Sequence, residues 1–262
     1  MKKSLMISRL PGIIALRNLY LEYRKPTVNI SVDGTNCDFI ITNHQERKNI
    51  LSMEEEKSVI KLFLNEIKNG DVFYDVGSNV GLYSCFACKK AQLEEIVAFE
   101  PQPEVNARLK ENIEQNGCAD KTKIIKGVLA AERGKQNLVV DESVPATGAT
   151  THSMSPDADG ERIEVKAYTV DELITQNACS SPDVMKIDVE GAEYEVLQGM
   201  SQVLSKSPPR AIFVEIHDQV KHFGATPDEV KSLLREAGYL LEVLDEQENR
   251  EFVHAKVASN GG

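Results

Sequence analysis

From Val72 to Ile216, short and nearly continuous apolar runs alternate with longer amphipathic stretches, and few architectures satisfy that rhythm. The apolar runs are Val72–Val76, Ile96–Phe99, Lys123–Ile125, Val184–Ile187 and Ala211–Ile216; helical patterns occupy Gly81–Lys90, Glu104–Asn116, Ala192–Leu204 and Pro227–Ala237. A strand apolar on both sides needs cover on both faces, which predicts a parallel α/β sheet sandwiched by helices. Leu240–Leu244 and Phe252–Val257 flank a Glu-Asn-Arg turn and predict a closing antiparallel hairpin.

Upstream, alternating Val28, Ile30 and Val32 with an Asp33-Gly34 turn predict a hairpin over 27–41. Ser52 and Glu55 form a capping-box pattern for a helix with the buried stripe Val59, Ile60, Phe63, Leu64 and Ile67. Gln136–Val140 and Ile163–Val165 add two strands around a polar insert, 141–161, the candidate lid over a bound substrate. The expected organisation is a decorating segment, 1–69, followed by one α/β domain, 70–262.

Composition removes some partners. With 30 basic and 41 acidic residues the net charge is −11, a field that repels phosphate backbones, so no nucleic acid is expected. The longest uncharged N-terminal stretch, Leu10–Leu16, falls far short of the ~20 residues of a membrane span, and no signal-peptide pattern is present. Met1–Lys25 reads instead as an amphipathic helix docking on the domain, with a membrane surface or a homodimer contact as its other uses. Five scattered cysteines suggest a reducing cytoplasm. The Cys85/Cys88 pair lies inside a predicted helix, so packing is its expected role.

Two constellations carry chemistry. In Tyr74-Asp75-Val76-Gly77-Ser78-Asn79-Val80-Gly81 a strand turns into a helix, and the two glycines permit a sharp turn and a close backbone approach. Glu100 closes the next strand, about 25 residues after Asp75, where a carboxylate can grip two ribose hydroxyls. A dinucleotide would call for G-x-G-x-x-G; the spacing here is Gly77-x-x-x-Gly81, and Asp75 disfavours a pyrophosphate. A nucleoside carrying an ammonium and a sulfonium suits the turn better. The second constellation gathers Asp188, Glu190 and Glu193 after one strand and Glu215 with His217 after the next, at the carboxyl ends where open α/β sheets bind ligands.

Asp75–Gly81, Phe99-Glu100-Pro101, Asn112 with Asn116, and above all Lys186-Ile187-Asp188-Val189-Glu190-Gly191-Ala192-Glu193 resemble the FkbM family of methyltransferases. The resemblance implies a Rossmann-like, seven-stranded sheet whose last strand runs antiparallel. It also implies S-adenosylmethionine as donor and O-methylation of a hydroxyl on a saccharide, lipid-linked or polyketide-type small molecule. Asp75, Gly77, Ser78, Asn79 and Gly81 would then surround the methionine part, Glu100 and Pro101 the ribose, and the Gly127-Val128 segment the adenine. Val128 departs from the acid many relatives carry there, leaving adenine recognition to the backbone.

An alcohol is a weak nucleophile, so a base at the acceptor oxygen is expected: His217 first, Asp188 as base or orienter, Glu190 and Glu215 as substrate holders. Asp188, Glu190 and Glu215 could also gather Mg²⁺, a less favoured alternative. Lys186, two residues along the strand from Asp188, suits an ion pair with it. The string Asp188-Val189-Glu190-Gly191 lacks the Asn-Pro-Pro-aromatic pattern of enzymes that methylate planar amines. A nicotinamide-dependent oxidoreductase and a non-catalytic Rossmann-like binding module are the competing functions.

Overall fold

The computed structural model describes residues 20, 23–42, 56–140, 152–153 and 160–258. The predicted N-terminal amphipathic helix, the Ser52/Glu55 cap and nearly all of the polar insert lie outside them.

Every apolar run of the central alternation is a strand. The sheet consists of β3 (Val72–Val76), β4 (Glu95–Phe99), β5 (Thr122–Ile125), β10 (Val184–Ile187), β11 (Ala211–His217), β12 (Tyr239–Gln247) and β13 (Arg250–Val257). Its spatial order is β12-β13-β11-β10-β3-β4-β5. All neighbours from β11 through β5 run parallel, while β13 is antiparallel to both β11 and β12. This is the Rossmann-like methyltransferase topology expected, with its last strand reversed.

Alternation along each strand sorts the core into two layers. Phe73, Ile96, Ala98, Val184, Ala211 and Phe213 face α1 (Lys57–Glu66), α2 (Leu82–Lys90), α3 (Pro103–Gln115) and the hairpin of β1 (Thr27–Val32) and β2 (Thr35–Ile40). Phe63 of α1 is the hub, with ring centroids 5.0 Å from Phe73, 5.1 Å from Tyr83 and 5.6 Å from Phe213. The opposite residues, Tyr74, Val76, Met185, Ile187, Val214 and Ile216, pack with α4 (Val170–Thr175), α5 (Glu193–Gln198), α6 (Ser201–Lys206) and α7 (Pro227–Glu236). Among the described residues no helix is long and apolar enough to cross a membrane.

The β1–β2 turn takes positive φ at Asp33 (49°) and Gly34 (81°), as a tight two-residue hairpin requires. Among the described residues the outer edge of β2 has no strand beside it. Two asparagines of α3 and its C-cap stand in: Asn112 accepts from the Ile40 N–H at 2.9 Å, and Asn116 both accepts from and donates to the Asp38 backbone, at 3.0 and 2.8 Å. Side-chain amides thus satisfy an edge that would otherwise invite pairing.

Two expectations need correction, and one further element was unforeseen. The pattern over Ala192–Leu204 predicts one helix, yet α5 and α6 are separate. A Cβ on Gly199 would stand 3.0 Å from the Ala130 carbonyl carbon and closer to its oxygen; the chain bends to follow that contact. Asp171 then caps α6 from across the layer, accepting from Gln202 N at 2.9 Å and Val203 N at 3.0 Å. Second, Cys88 does not serve packing alone: it forms a disulfide with Cys118, while Cys85 is a buried free thiol. The unforeseen element is α4, which had no sequence counterpart; Thr169 caps it by accepting from Glu172 N at 3.0 Å.

The extra strands form a second sheet, β6 (Val128–Leu129), β7 (Gly134–Val140), β8 (His152–Ser153) and β9 (Glu161–Tyr168), in the order β6-β9-β7-β8. It stands beyond the carboxyl end of β5 and walls one side of the site.

Candidate active site

The switch in strand order falls between β3 and β10, and the site opens there. Gly77 leaves β3 with φ +76°; its N–H and that of Ser78 both donate to the Phe99 carbonyl, at 3.1 and 3.0 Å. A Cβ on Gly77 would stand 2.9 Å from the Asp188 carbonyl carbon and nearer its oxygen. At Gly81 (φ +88°) a Cβ would meet the Leu109 Cδ1 at 2.6 Å. Backbone packing therefore demands a glycine at Gly77, where it leaves the backbone bare along a cleft, while at Gly81 the left-handed φ demands one and the flexible Leu109 end could give way.

That cleft and its open mouth together span about 620 Å³ of space free of protein atoms. Gly77, Glu100, Pro101, Val128, Asp188 and Glu190 all line it, together with Phe99, Leu129 and Leu138. Six of the sequence-derived candidates thus meet in one place. Asp75, Ser78, Asn79 and Gly81 are not in its wall. Asp75 is only 1% exposed, and its Oδ2 accepts from Ser84 N at 3.0 Å and Ser84 Oγ at 2.6 Å. It tethers the first turn of α2 to β3, and burial raises its pKa. Ser78 donates to the Phe99 carbonyl at 3.0 Å, and Asn79 donates its N–H to Glu100 at 3.0 Å.

Glu100 receives two backbone donors, from Asn79 and from Gln102 at 2.9 Å, one on each oxygen. Each oxygen keeps a lone pair for a further donor. Burial, only partly offset by those N–H groups, pushes its pKa up to about 7. Phe99, Val128, Leu129 and Leu138 supply an apolar wall beside it. An apolar wall beside a carboxylate with free acceptor positions is chemistry that matches a nucleoside's base and ribose hydroxyls.

The second constellation adjoins this cleft. His217 is 5% exposed; its Nδ1 lies 2.8 Å from the Glu193 Oε1, which also accepts from Gly191 N at 2.9 Å. The Nε2 faces three carboxylates at 3.6 Å (Glu190), 3.8 Å (Glu215) and 3.9 Å (Asp188). Burial disfavours the imidazolium, but Glu193, Glu190 and Asp188 outweigh it and raise the pKa to about 9. The ring keeps its proton at neutral pH, so the base role expected of His217 is not available in this state. Burial first, then the Asp188 charge, raise Glu190 and Glu215 each to about 7. Asp188 is held below its ordinary value: burial opposes ionisation, but Lys186 and His217 prevail.

Lys186 pairs with Asp188 at 2.9 Å, as its spacing suggests, and lies 5.2 Å from the Tyr83 ring centroid. Burial works against its charge, and Asp188, Asp75 and Glu215 together keep it above the ordinary lysine value. Glu215 is also bound by Arg250 of β13. A second cavity of about 890 Å³ opens on that side, with Glu56, Ser58, Glu215, Asp245, Gln247 and Arg250 in its wall.

Sequence reasoning assigned no role to three participants. Glu193 was readable as a helix-start acid; only its complete burial against His217 reveals its task. Arg250 sat in a predicted turn without a visible partner. Leu138 reaches the cleft from the second sheet, and no local pattern could announce that.

Residues 75–241 match the Methyltransferase FkbM domain, nearly two-thirds of the chain. The chain belongs to the FkbM methyltransferase family. It is 32% identical over 248 residues to the hexuronic acid methyltransferase AglP of Haloferax volcanii, spanning 94% of this chain and 95% of that protein. It is 26% identical over 200 residues to the 31-O-demethyl-FK506 methyltransferase FkbM of Streptomyces tacrolimicus, spanning 66% and 74%. The solved methyltransferase FkbM of Methylobacillus flagellatus KT superposes with a TM-score of 0.46 at 14% identity, covering 72% of this chain and 44% of that one. As an FkbM-family protein the chain is an S-adenosylmethionine-dependent methyltransferase, and the nicotinamide alternative falls.

Proposed function

We propose that this FkbM-family enzyme methylates a hydroxyl of a saccharide carrying hexuronic acid. One observation carries the saccharide part of the proposal: a polar cavity with Glu56, Ser58, Gln247 and Arg250 in its wall shares Glu215 with the His217-centred cluster whose Asp188 and Glu190 line the donor cleft. A polyol suits such walls, which offer many acceptors for its hydroxyls. The similarity to a hexuronic acid methyltransferase over nearly the whole chain supports the same substrate class.

In this proposal Glu100 holds the ribose, the apolar wall of Phe99, Val128 and Leu138 takes the base, and the bare Gly77 backbone passes beneath the amino-acid part. Bound S-adenosylmethionine supplies a methyl group on cationic sulfur, which the acceptor oxygen takes in line while the bonding pair leaves to sulfur. The chain's main task is alignment, which can be worth ~7–11 kcal/mol when the reacting atoms are well oriented. Glu215, shared by the cluster and the second cavity, is the carboxylate placed to take the hydroxyl proton. Arg250 fixes that carboxylate's position.

The test is methyl transfer from labelled donor to a panel of uronate-bearing saccharides, neutral saccharides and nucleic acids, read by product mass. Methylation confined to saccharides, with Glu215→Gln slowing turnover by ~10²–10⁴-fold while S-adenosylhomocysteine still binds, is the expected result. Transfer to nucleic acid alone, or full activity in Glu215→Gln, would overturn it. A non-catalytic module would show binding of S-adenosylhomocysteine and no transfer to any of the three.

A further inference from the structure

Asp188, Glu190 and His217 each present one ligand atom, and these atoms all lie within 4.8 Å of one another. Their placement is built rather than incidental. Glu190 is held at φ +54°, a backbone state rare outside glycine, immediately before Gly191 at φ +112°. His217 is fixed by Glu193, fully buried, through Nδ1 at 2.8 Å, so its Nε2 has a single orientation. Nine-tenths of the His217 side chain is buried, yet among the described residues Nε2 makes no hydrogen bond. Its nearest carboxylate oxygens stand at 3.6–3.9 Å, beyond hydrogen-bonding reach.

We propose that Asp188, Glu190 and His217 form a binding site for a divalent transition cation, Mn²⁺ in preference to Mg²⁺, with Glu193 as the positioning residue behind the histidine. A carboxylate that orients a histidine through its second nitrogen is the usual support of a metal-bound imidazole. The imidazole is what selects Mn²⁺ over Mg²⁺, which takes oxygen ligands and gives up water reluctantly. Glu215, the third oxygen donor considered for Mg²⁺, is committed to Arg250, and His217 takes its place. The ion replaces the proton on Nε2, and the two carboxylates balance its charge. Three protein ligands leave coordination positions open between the donor cleft, which Asp188 and Glu190 line, and the cavity lined by Glu215. Resting on the methyltransferase reading, those positions would take oxygens of the acceptor and lower the hydroxyl's pKa.

The experiment is Mn²⁺ binding to the metal-stripped full chain, without donor or acceptor, by equilibrium dialysis with elemental analysis and by the loss of free-ion electron paramagnetic resonance signal. One Mn²⁺ per chain is expected, bound more tightly than Mg²⁺. Glu190→Gln and Asp188→Asn should each weaken it at least ~10-fold, and Glu193→Gln ~10–100-fold. Circular dichroism and urea denaturation check that each variant is folded. No bound Mn²⁺, or a stoichiometric ion unaffected by both Glu190→Gln and Asp188→Asn, overturns the site. Methyl transfer that persists undiminished after chelation overturns its role at the acceptor but leaves the methyltransferase reading intact. Failure to bind S-adenosylhomocysteine strikes that reading and leaves the metal measurement standing.

Discussion

Gly77→Ala tests the geometry on which the cleft depends. Two costs add at this position. A left-handed φ of +76° penalises any Cβ by about 1–2 kcal/mol. The new carbon would also stand 2.9 Å from the Asp188 carbonyl carbon and closer to its oxygen, a wall of backbone that cannot rotate away. Asp188 is tied there by its own N–H, which donates to the Val76 carbonyl at 3.0 Å. Relief requires prising β10 from β3 at the switch point, an overpacking cost of about 1–3 kcal/mol. The sum is about 2–5 kcal/mol. Gly34→Ala is the control: its φ is +81°, and a Cβ there meets nothing within 4 Å. It carries the conformational penalty alone. Urea denaturation followed by circular dichroism should place Gly77→Ala at least 1 kcal/mol below Gly34→Ala, taking the low end of the overpacking range. Calorimetry should show S-adenosylhomocysteine binding weakened only in the former. Equal destabilisation in the two variants, or unchanged nucleoside affinity in Gly77→Ala, would refute the reasoning.

Other elements make their own predictions. Glu100 is protonated below about 7 and ionised above it, since burial raises its pKa, with Asp75 and Lys186 the charged neighbours. A ribose pair donates to the ionised form, so the dissociation constant of S-adenosylhomocysteine should rise about tenfold from pH 8 to pH 6; a flat profile would disprove the carboxylate's role. Asp171→Ala strips two α6 backbone N–H groups of their carboxylate acceptor and should cost about 0.5–2 kcal/mol in denaturant titration, whereas no loss would mean the cap is decorative. Alkylating the unfolded, unreduced protein should modify Cys37, Cys85 and Cys179 but not Cys88 or Cys118. Reduction, opening a closed loop of sequence separation 30, should cost up to about 3–4 kcal/mol of stability; alkylation of all five without reductant would rule the bond out.

The parallel core was legible because burial on both faces forces an apolar run, and each of the five runs became a strand within a residue or so. The tight hairpin turn was equally plain, for Asp-Gly is among the few pairs that accept positive φ twice. The glycine turn and Glu100 were found for a sound reason but with incomplete physics. Gly77 and Gly81 yield first to Asp188 and Leu109, neighbours distant in sequence. Asp75 looked like a ligand because it precedes the turn; strand alternation sends it to the opposite face, onto Ser84. His217 looked like a base because a lone histidine at a strand end has an ordinary pKa near neutrality. Four carboxylates converging on it, three from residues 188–193 and one from its own strand, change that, and no local window holds all of them. The break between α5 and α6 was hidden in the same way: Gly199 resembles a tolerated helical glycine until Ala130 arrives against it.

The sharpest trial of the whole account is a calorimetric titration of S-adenosylhomocysteine into the wild-type chain and into Glu100→Gln. One site per chain is expected in the wild type. Removing the charged acceptor should weaken binding by about 1.5–3 kcal/mol, roughly 10–150-fold. A folded protein that releases no heat with the nucleoside, or a Glu100→Gln variant that binds it as tightly as the parent, would contradict the assignment of this cleft to the methyl donor.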